Sequence, residues 1–141
     1  MVNISGGVVG SFFRSNAGSD VELIGGEFQL NGAAVTDSTI SLSFPDILTG
    51  TLADGSVFIF SAEVPDRFSG GVQLTSAALP ALDLTPVVVS TPNPNLTSGL
   101  RSGQSLRLLN GGELGDDFEV VDATLNVEAV SYTHLTLPTK A

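Results

Sequence analysis

Apolar residues alternate with polar ones in short runs along this chain, the spacing of strands that bury one face. Val2/Ile4, Val21/Leu23 and Leu125/Val127 follow that rule, as do Ile40, Leu42 and Phe44 ahead of a break at Pro45-Asp46. From Leu48 to Phe60, two apolar runs flank Asp54-Gly55, the signature of a β-hairpin. Weaker strands are predicted at Val72–Thr75 and Val87–Ser90. Thr91-Pro92-Asn93-Pro94 reads as a loop, because closely spaced prolines deny the backbone its ladder donors. No segment carries helical periodicity, and the pattern predicts an all-β fold.

Several of these runs recur. Val2-Asn3-Ile4-Ser5-Gly6-Gly7 returns 19 positions later as Val21-Glu22-Leu23-Ile24-Gly25-Gly26, and Leu106-Arg107-Leu108 returns at the same offset as Leu125-Asn126-Val127. Gly6 to Phe13 and Gly111 to Phe118 share the form Gly-Gly-x-aliphatic-Gly-x-x-Phe. A strand of this length cannot bury its inner face alone and must stack on a neighbouring copy. The glycine pair permits a positive φ and a tight corner, after which the aliphatic residue and Phe fill the interior. Val2, Ile4, Val9, Phe13, Val21, Leu23, Leu106, Leu114, Phe118, Leu125 and Val127 are therefore expected to point inward. The expected fold is a parallel β-helix (β-solenoid), with coils at residues 1–32 and 100–128 flanking an antiparallel β segment at 33–99 that holds the hairpin. Residues 129–141 form an atypical tail.

Length and composition agree with a packed core. A domain of 141 residues hides roughly 68% of its unfolded surface, and 42% of its residues are hydrophobic. The 16 glycines and 7 prolines imply many turns. The net charge of −10, with Arg14, Arg67, Arg101 and Arg107 scattered, argues against nucleic acid and anionic membranes, which require clustered cations. Cysteine is absent, so disulfide and thiolate chemistry are excluded. The N-terminus lacks the basic and apolar regions of a signal peptide, and no apolar run approaches the roughly 18 residues of a membrane span.

The phrases Val-Asn-Ile-Ser-Gly-Gly, Gly-Thr-Leu-Ala-Asp-Gly-Ser and Gly-Gln-Ser-Leu-Arg-Leu-Leu-Asn-Gly-Gly-Glu-Leu-Gly-Asp-Asp-Phe resemble cassettes in very large repeat proteins of planctomycete-type marine bacteria. The resemblance covers most of residues 2–128 and implies a secreted or surface-bound parent of which this chain is a slice. Its motifs are glycines and core positions, so it implies architecture and transfers no catalytic residue. Ser131 to Ala141 hold the only Tyr, His and Lys of the chain. They arrive where the repeat calls for another Gly-Gly, and they resemble the translated read-through of a sequencing adapter.

Candidate chemistry is sparse. Arg107 with Asp116, Asp117, Glu119 and Asp122 could be cast as a polysaccharide lyase or glycosidase site, since such enzymes use a strong base or paired carboxylates. No defined spacing recurs among them, and few aromatics are available as sugar platforms. Asp116, Asp117 and Glu119 also raise the question of Ca²⁺, a hard cation taking six to eight oxygens. The aligned Ser11-Phe12-Phe13-Arg14 has no carboxylate, which favours a solvated acidic corner. His134 stands without a second His or Cys for ligation, and no serine has a histidine partner outside the tail. Neither glycine pair forms a phosphate-binding motif. Asp54-Gly55 reads as a turn, Thr49-Gly50-Thr51 is a single instance and no ice-binding array, and Asn3 and Asn95 read as strand and turn residues.

The expectation is thus a non-catalytic scaffold, adhesion or surface-matrix module, extracellular or on the cell surface, with no cofactor, no metal and no catalytic residue. Its expected partners are adjacent coils, further copies through open ends, or surface polysaccharide; a carbohydrate-active β-helix is the alternative. If the tail is foreign, nothing has fitted it to the core. A chain truncated after Val130 is then expected to melt within a few degrees of the full chain, a change of about 1 kcal/mol or less. A large fall in melting temperature would instead make the tail a genuine closing strand.

Overall fold

A computed structural model describes residues 1–9, 13–62, 70–91, 99–115 and 118–128. The described residues contain strands, turns and bends and no helix, and the fold is an all-β solenoid. The described residues divide into two compact units, Met1–Pro80 and the residues from Ala81 to Glu128.

In the first unit β1 (Val2–Ile4) lies parallel to β2 (Val21–Leu30) with Val2 opposite Val21 and Ile4 opposite Leu23. That register is the 19-residue offset of the sequence. Beyond β2 the chain makes an antiparallel excursion through β3 (Ala33–Ala34), β4 (Thr39–Ile40), β5 (Ile47–Leu52) and β6 (Val57–Ser61). It then returns as β7 (Val72–Ser76), parallel to β2 with Val21 opposite Val72 and Leu23 opposite Leu74. The hairpin around Asp54-Gly55 is present, pairing Ile47 with Ser61 through to Thr51 with Val57. Its inner face packs Leu48, Leu52, Phe58 and Phe60 against Val21, Leu23, Val72 and Leu74. Phe13 stacks on Phe60, with ring centroids 5.7 Å apart.

The second unit repeats the offset twice. β8 (Val87–Val89), β10 (Ser105–Leu108) and β12 (Thr124–Val127) form a parallel ladder, with Val87, Leu106 and Leu125 in line. β9 (Gly99–Arg101) and β11 (Glu119–Val121) form a second parallel pair. Val89, Leu106 and Leu108 from the first ladder meet Leu100 and Val120 from the second, and Phe118 completes the core. The corners after β9 and β11 correspond. Ser102 and Asp122 both adopt positive φ, 46° and 50°, and Gly103 N donates to the Asp122 carbonyl across the stack.

Several expectations need correction. The segment 33–99 is not antiparallel throughout: Val72–Ser76 and Val87–Val89 run parallel, and a unit boundary falls at Pro80/Ala81. Alternation reports a buried face and carries no information about strand direction, so the sequence pattern could not separate these strands from the excursion. Gly25-Gly26 is not a corner, because β2 continues through it to Leu30. A Cβ on Gly25 would collide with the Thr51 carbonyl, so close approach of β5 requires this glycine. The positive φ moves to Glu27 (55°), where the β2–β5 register shifts by one residue, the two-against-one count of a β-bulge.

Of the residues expected inward, Val21, Leu23, Leu106 and Phe118 are buried. Ile4, Val9, Phe13, Leu114, Leu125 and Val127 are partly buried against the two cores. Val2 is the exception at 52% exposed, since among the described residues β1 pairs with β2 alone. Phe44 also departs from its run and is 61% exposed. Residues 92–98, which include Pro92 to Pro94 of the expected loop, the acids Asp116 and Asp117, and residues 129–141 lie outside the described residues.

Phe118 is 4% exposed within a small core. Its truncation to Ala is expected to cost about 3–5 kcal/mol in denaturant unfolding. A loss below about 1 kcal/mol would show that this Phe does not anchor its coil.

Candidate functional site

The most connected polar group in the first unit is Asp54, at the tip of the β5–β6 hairpin. Its carboxylate accepts from Gly7 N at 2.8 Å, from Ser56 N at 2.8 Å and from Ser56 Oγ at 2.9 Å. The Asp54 N–H in turn donates to the Ser5 carbonyl. Asp54 therefore closes its own turn and fastens it to the corner after β1, where Gly7 has φ 86°. A side chain on Gly6 would occupy the position of the Asp54 carboxylate, so the glycine pair and the aspartate fit each other. Local sequence places Asp54 in a turn and indicates nothing more. The partner lies 47 positions away, and no local pattern indicates it.

Partial burial pushes the Asp54 carboxyl upward, but the Ser56 and Gly7 amides and the Ser56 hydroxyl outweigh it and hold the pKa below the ordinary value. A second node joins Asn31 and Asp46. Asn31 Nδ2 donates to Asp46 Oδ1 at 2.9 Å, Ile47 N donates to Asn31 Oδ1 at 2.9 Å, and Ser43 N donates to Asp46 Oδ2 at 3.0 Å. The Asn31 amide and the Ser43 N–H hold the Asp46 carboxyl below its usual range. Further acids on the sheet accept from threonines: Thr75 Oγ1 donates to Glu22 and Thr51 Oγ1 donates to Glu27.

Arg107, the candidate strong base, projects from β10 and is half-exposed. Its Nε and Nη2 donate to Glu128 Oε1 and Oε2 at 2.9 and 3.1 Å, a two-point pairing, and Asn126 Nδ2 adds a longer bond to Oε1. An exposed pair of this kind contributes about 0–1 kcal/mol. Glu119 sits in the other ladder, opposite Gly99, and Asp122 is an exposed corner residue with φ 50°. The structure does not gather Arg107, Glu119 and Asp122 on one strand ladder. Among the described residues no three of His, Cys, Asp and Glu converge as a metal-holding group, and no helix is long and apolar enough to cross a membrane. Arg67, Asp116, Asp117 and His134 lie outside the described residues. Glu128, the partner of Arg107, went unnoticed in the sequence because their separation of 21 positions has meaning only once the coils stack.

No protein-family model, curated protein or solved structure matches the chain.

The Asp54 clamp has a defined pH signature. A carboxyl whose folded pKa lies below its unfolded value of about 3.9 stabilises the fold above that value and loses this contribution as pH falls through the folded pKa. Asp54→Ala is expected to lower stability at neutral pH by on the order of 1 kcal/mol and to speed amide exchange at Gly7 and Ser56. The gap between wild type and variant should close below about pH 4. A gap unchanged down to acid pH would mean that the carboxylate is not the stabilising group.

Proposed function

We propose that this chain is a non-catalytic structural or interaction module, one segment of a larger secreted or cell-surface bacterial protein of the kind its motifs resemble. The observation that carries this reading is the 19-residue register, repeated between β1 and β2 and from β8 through β10 to β12. A unit that stacks by one fixed step extends by adding further steps, and such extension suits spacing, adhesion or matrix building. The described acids support it as well. Asp54, Asp46, Glu22, Glu27 and Glu128 accept hydrogen bonds that tie coils, turns and strands together. The proposed partners are adjacent coils, further copies of the chain, and surface polysaccharide; the proposed location is outside the cell.

The competing reading, a carbohydrate-active β-helix with Arg107 as its base, predicts polysaccharide cleavage, whereas the scaffold reading predicts none. Incubation with neutral and acidic polysaccharides is expected to release neither new reducing ends nor unsaturated uronates. Light scattering is expected to show association growing with concentration, because exposed strand edges recruit further strands. Chain cleavage that disappears in Arg107→Ala would overturn the scaffold reading. A clean monomer at high concentration would remove self-association from it.

A further inference from the structure

The chain contains three turns in which an Asn or Asp precedes Gly: Asn31-Gly32, Asp54-Gly55 and Asn110-Gly111. Glycine after such a residue leaves the following backbone nitrogen sterically open, so that it can attack the side-chain carbonyl carbon. The three sites share this local chemistry and differ in how the fold restrains them.

Asn31 is tethered at both ends of its amide. Oδ1 accepts from Ile47 N, Nδ2 donates to Asp46, and its own backbone N–H donates to the Ile47 carbonyl at 2.8 Å. Rotating its Cγ toward Gly32 N requires these side-chain bonds to break. Asp54 is restrained differently. Its oxygens accept from Gly7 and Ser56, and the nitrogen that would attack, Gly55 N, donates to the Leu52 carbonyl at 2.9 Å. Its carboxylate is also the wrong electrophile, since loss of water from that carbon requires the protonated form. At Asn110 the turn is held only by its flanks: Leu109 N donates to the Val89 carbonyl and Gly112 N to the Leu109 carbonyl. Asn110 and Gly111 are both exposed. Among the described residues neither the Asn110 side chain nor Gly111 N makes a hydrogen bond.

We propose that Asn110 is a site of spontaneous covalent modification in the folded protein, through attack of Gly111 N on the Asn110 side-chain amide, whereas Asn31 is protected by its contacts with Asp46 and Ile47. A bond forms between Gly111 N and Asn110 Cγ while the Cγ–Nδ2 bond breaks. The Gly111 proton leaves with Nδ2 as ammonia, which gives a five-membered imide. Water then opens the ring at either carbonyl, yielding aspartate or a β-linked isoaspartate. Either product adds a negative charge. The isoaspartate also inserts a methylene into the main chain at the corner where Gly112 packs so closely that a Cβ there would strike the Val89 carbonyl. Among the three Asn/Asp-Gly turns, this coil corner is therefore the one that changes covalently with age in the folded protein.

The test ages the full folded chain in mildly alkaline buffer beside the same chain in urea, with peptide mapping by mass spectrometry and fragmentation to place each conversion. In urea both asparagines should convert at similar rates. In the folded protein Asn110 should keep most of its urea rate, while Asn31 slows at least about tenfold because bonds to a charged partner must open first. Asp46→Ala, verified as folded by circular dichroism, should restore conversion at Asn31 and leave Asn110 unchanged. Equal folded-state rates at the two sites, or an Asn110 slowed as strongly as Asn31, would overturn the proposal. That comparison needs no variant, so a misfolded Asp46→Ala would not rescue it.

Discussion

A strand of three or four residues has too few side chains to bury a face and too few hydrogen bonds to persist alone. The solenoid ladders answer this by placing such strands in parallel with like residues in line. Val21 stands between Val2 and Val72, and Leu106 stands between Val87 and Leu125. Each aliphatic row excludes water from its neighbours, and the cost of ordering a coil is offset only when another coil covers it. That is why Val21, Leu23 and Leu106 are almost fully buried while Val2, in a strand paired on one side, remains half-exposed.

Corners are the second constraint. To return to the same register the backbone must turn at a fixed point in each coil, and the turn demands left-handed residues. The two copies of the glycine motif meet this in different ways: positive φ falls on Gly7, second of its pair, and on Gly111, first of its pair. In each pair the other glycine is needed for contact, with the Asp54 side chain at Gly6 and with the Val89 carbonyl at Gly112. Ser102 and Asp122 take the same left-handed conformation without being glycine, a strain tolerated where stacked backbone bonds hold both corners.

A chain with a net charge of −10 must disperse its carboxylates or repel itself. Here several of the described acids sit along turns and strand faces as hydrogen-bond acceptors. Asp54 fastens the hairpin to the first corner, Asp46 fixes Asn31, and Glu128 pairs with Arg107. Glu128 and Asp46 reinforce strand pairs that the aliphatic rows already join, whereas Asp54 ties the hairpin to a corner with which it shares no ladder. The same contacts govern chemistry: Asn31 and Asn110 have the same following residue, yet only Asn31 is held.

The sequence by itself determined the all-β class, the hairpin at Asp54-Gly55 and the register of two ladders. Alternation and a 19-residue offset are properties of the chain, and each is imposed by the core it must build. The motif residues Phe13 and Phe118 were legible as core for the same reason. Strand direction at Val72–Ser76 and Val87–Val89, the passage of β2 through Gly25-Gly26, and the partners of Asp54, Asn31 and Arg107 were decided only in three dimensions. A buried face has the same period whether its neighbour runs parallel or antiparallel. A hydrogen bond between distant residues leaves no trace in local spacing, because the coils that bring its ends together are products of folding.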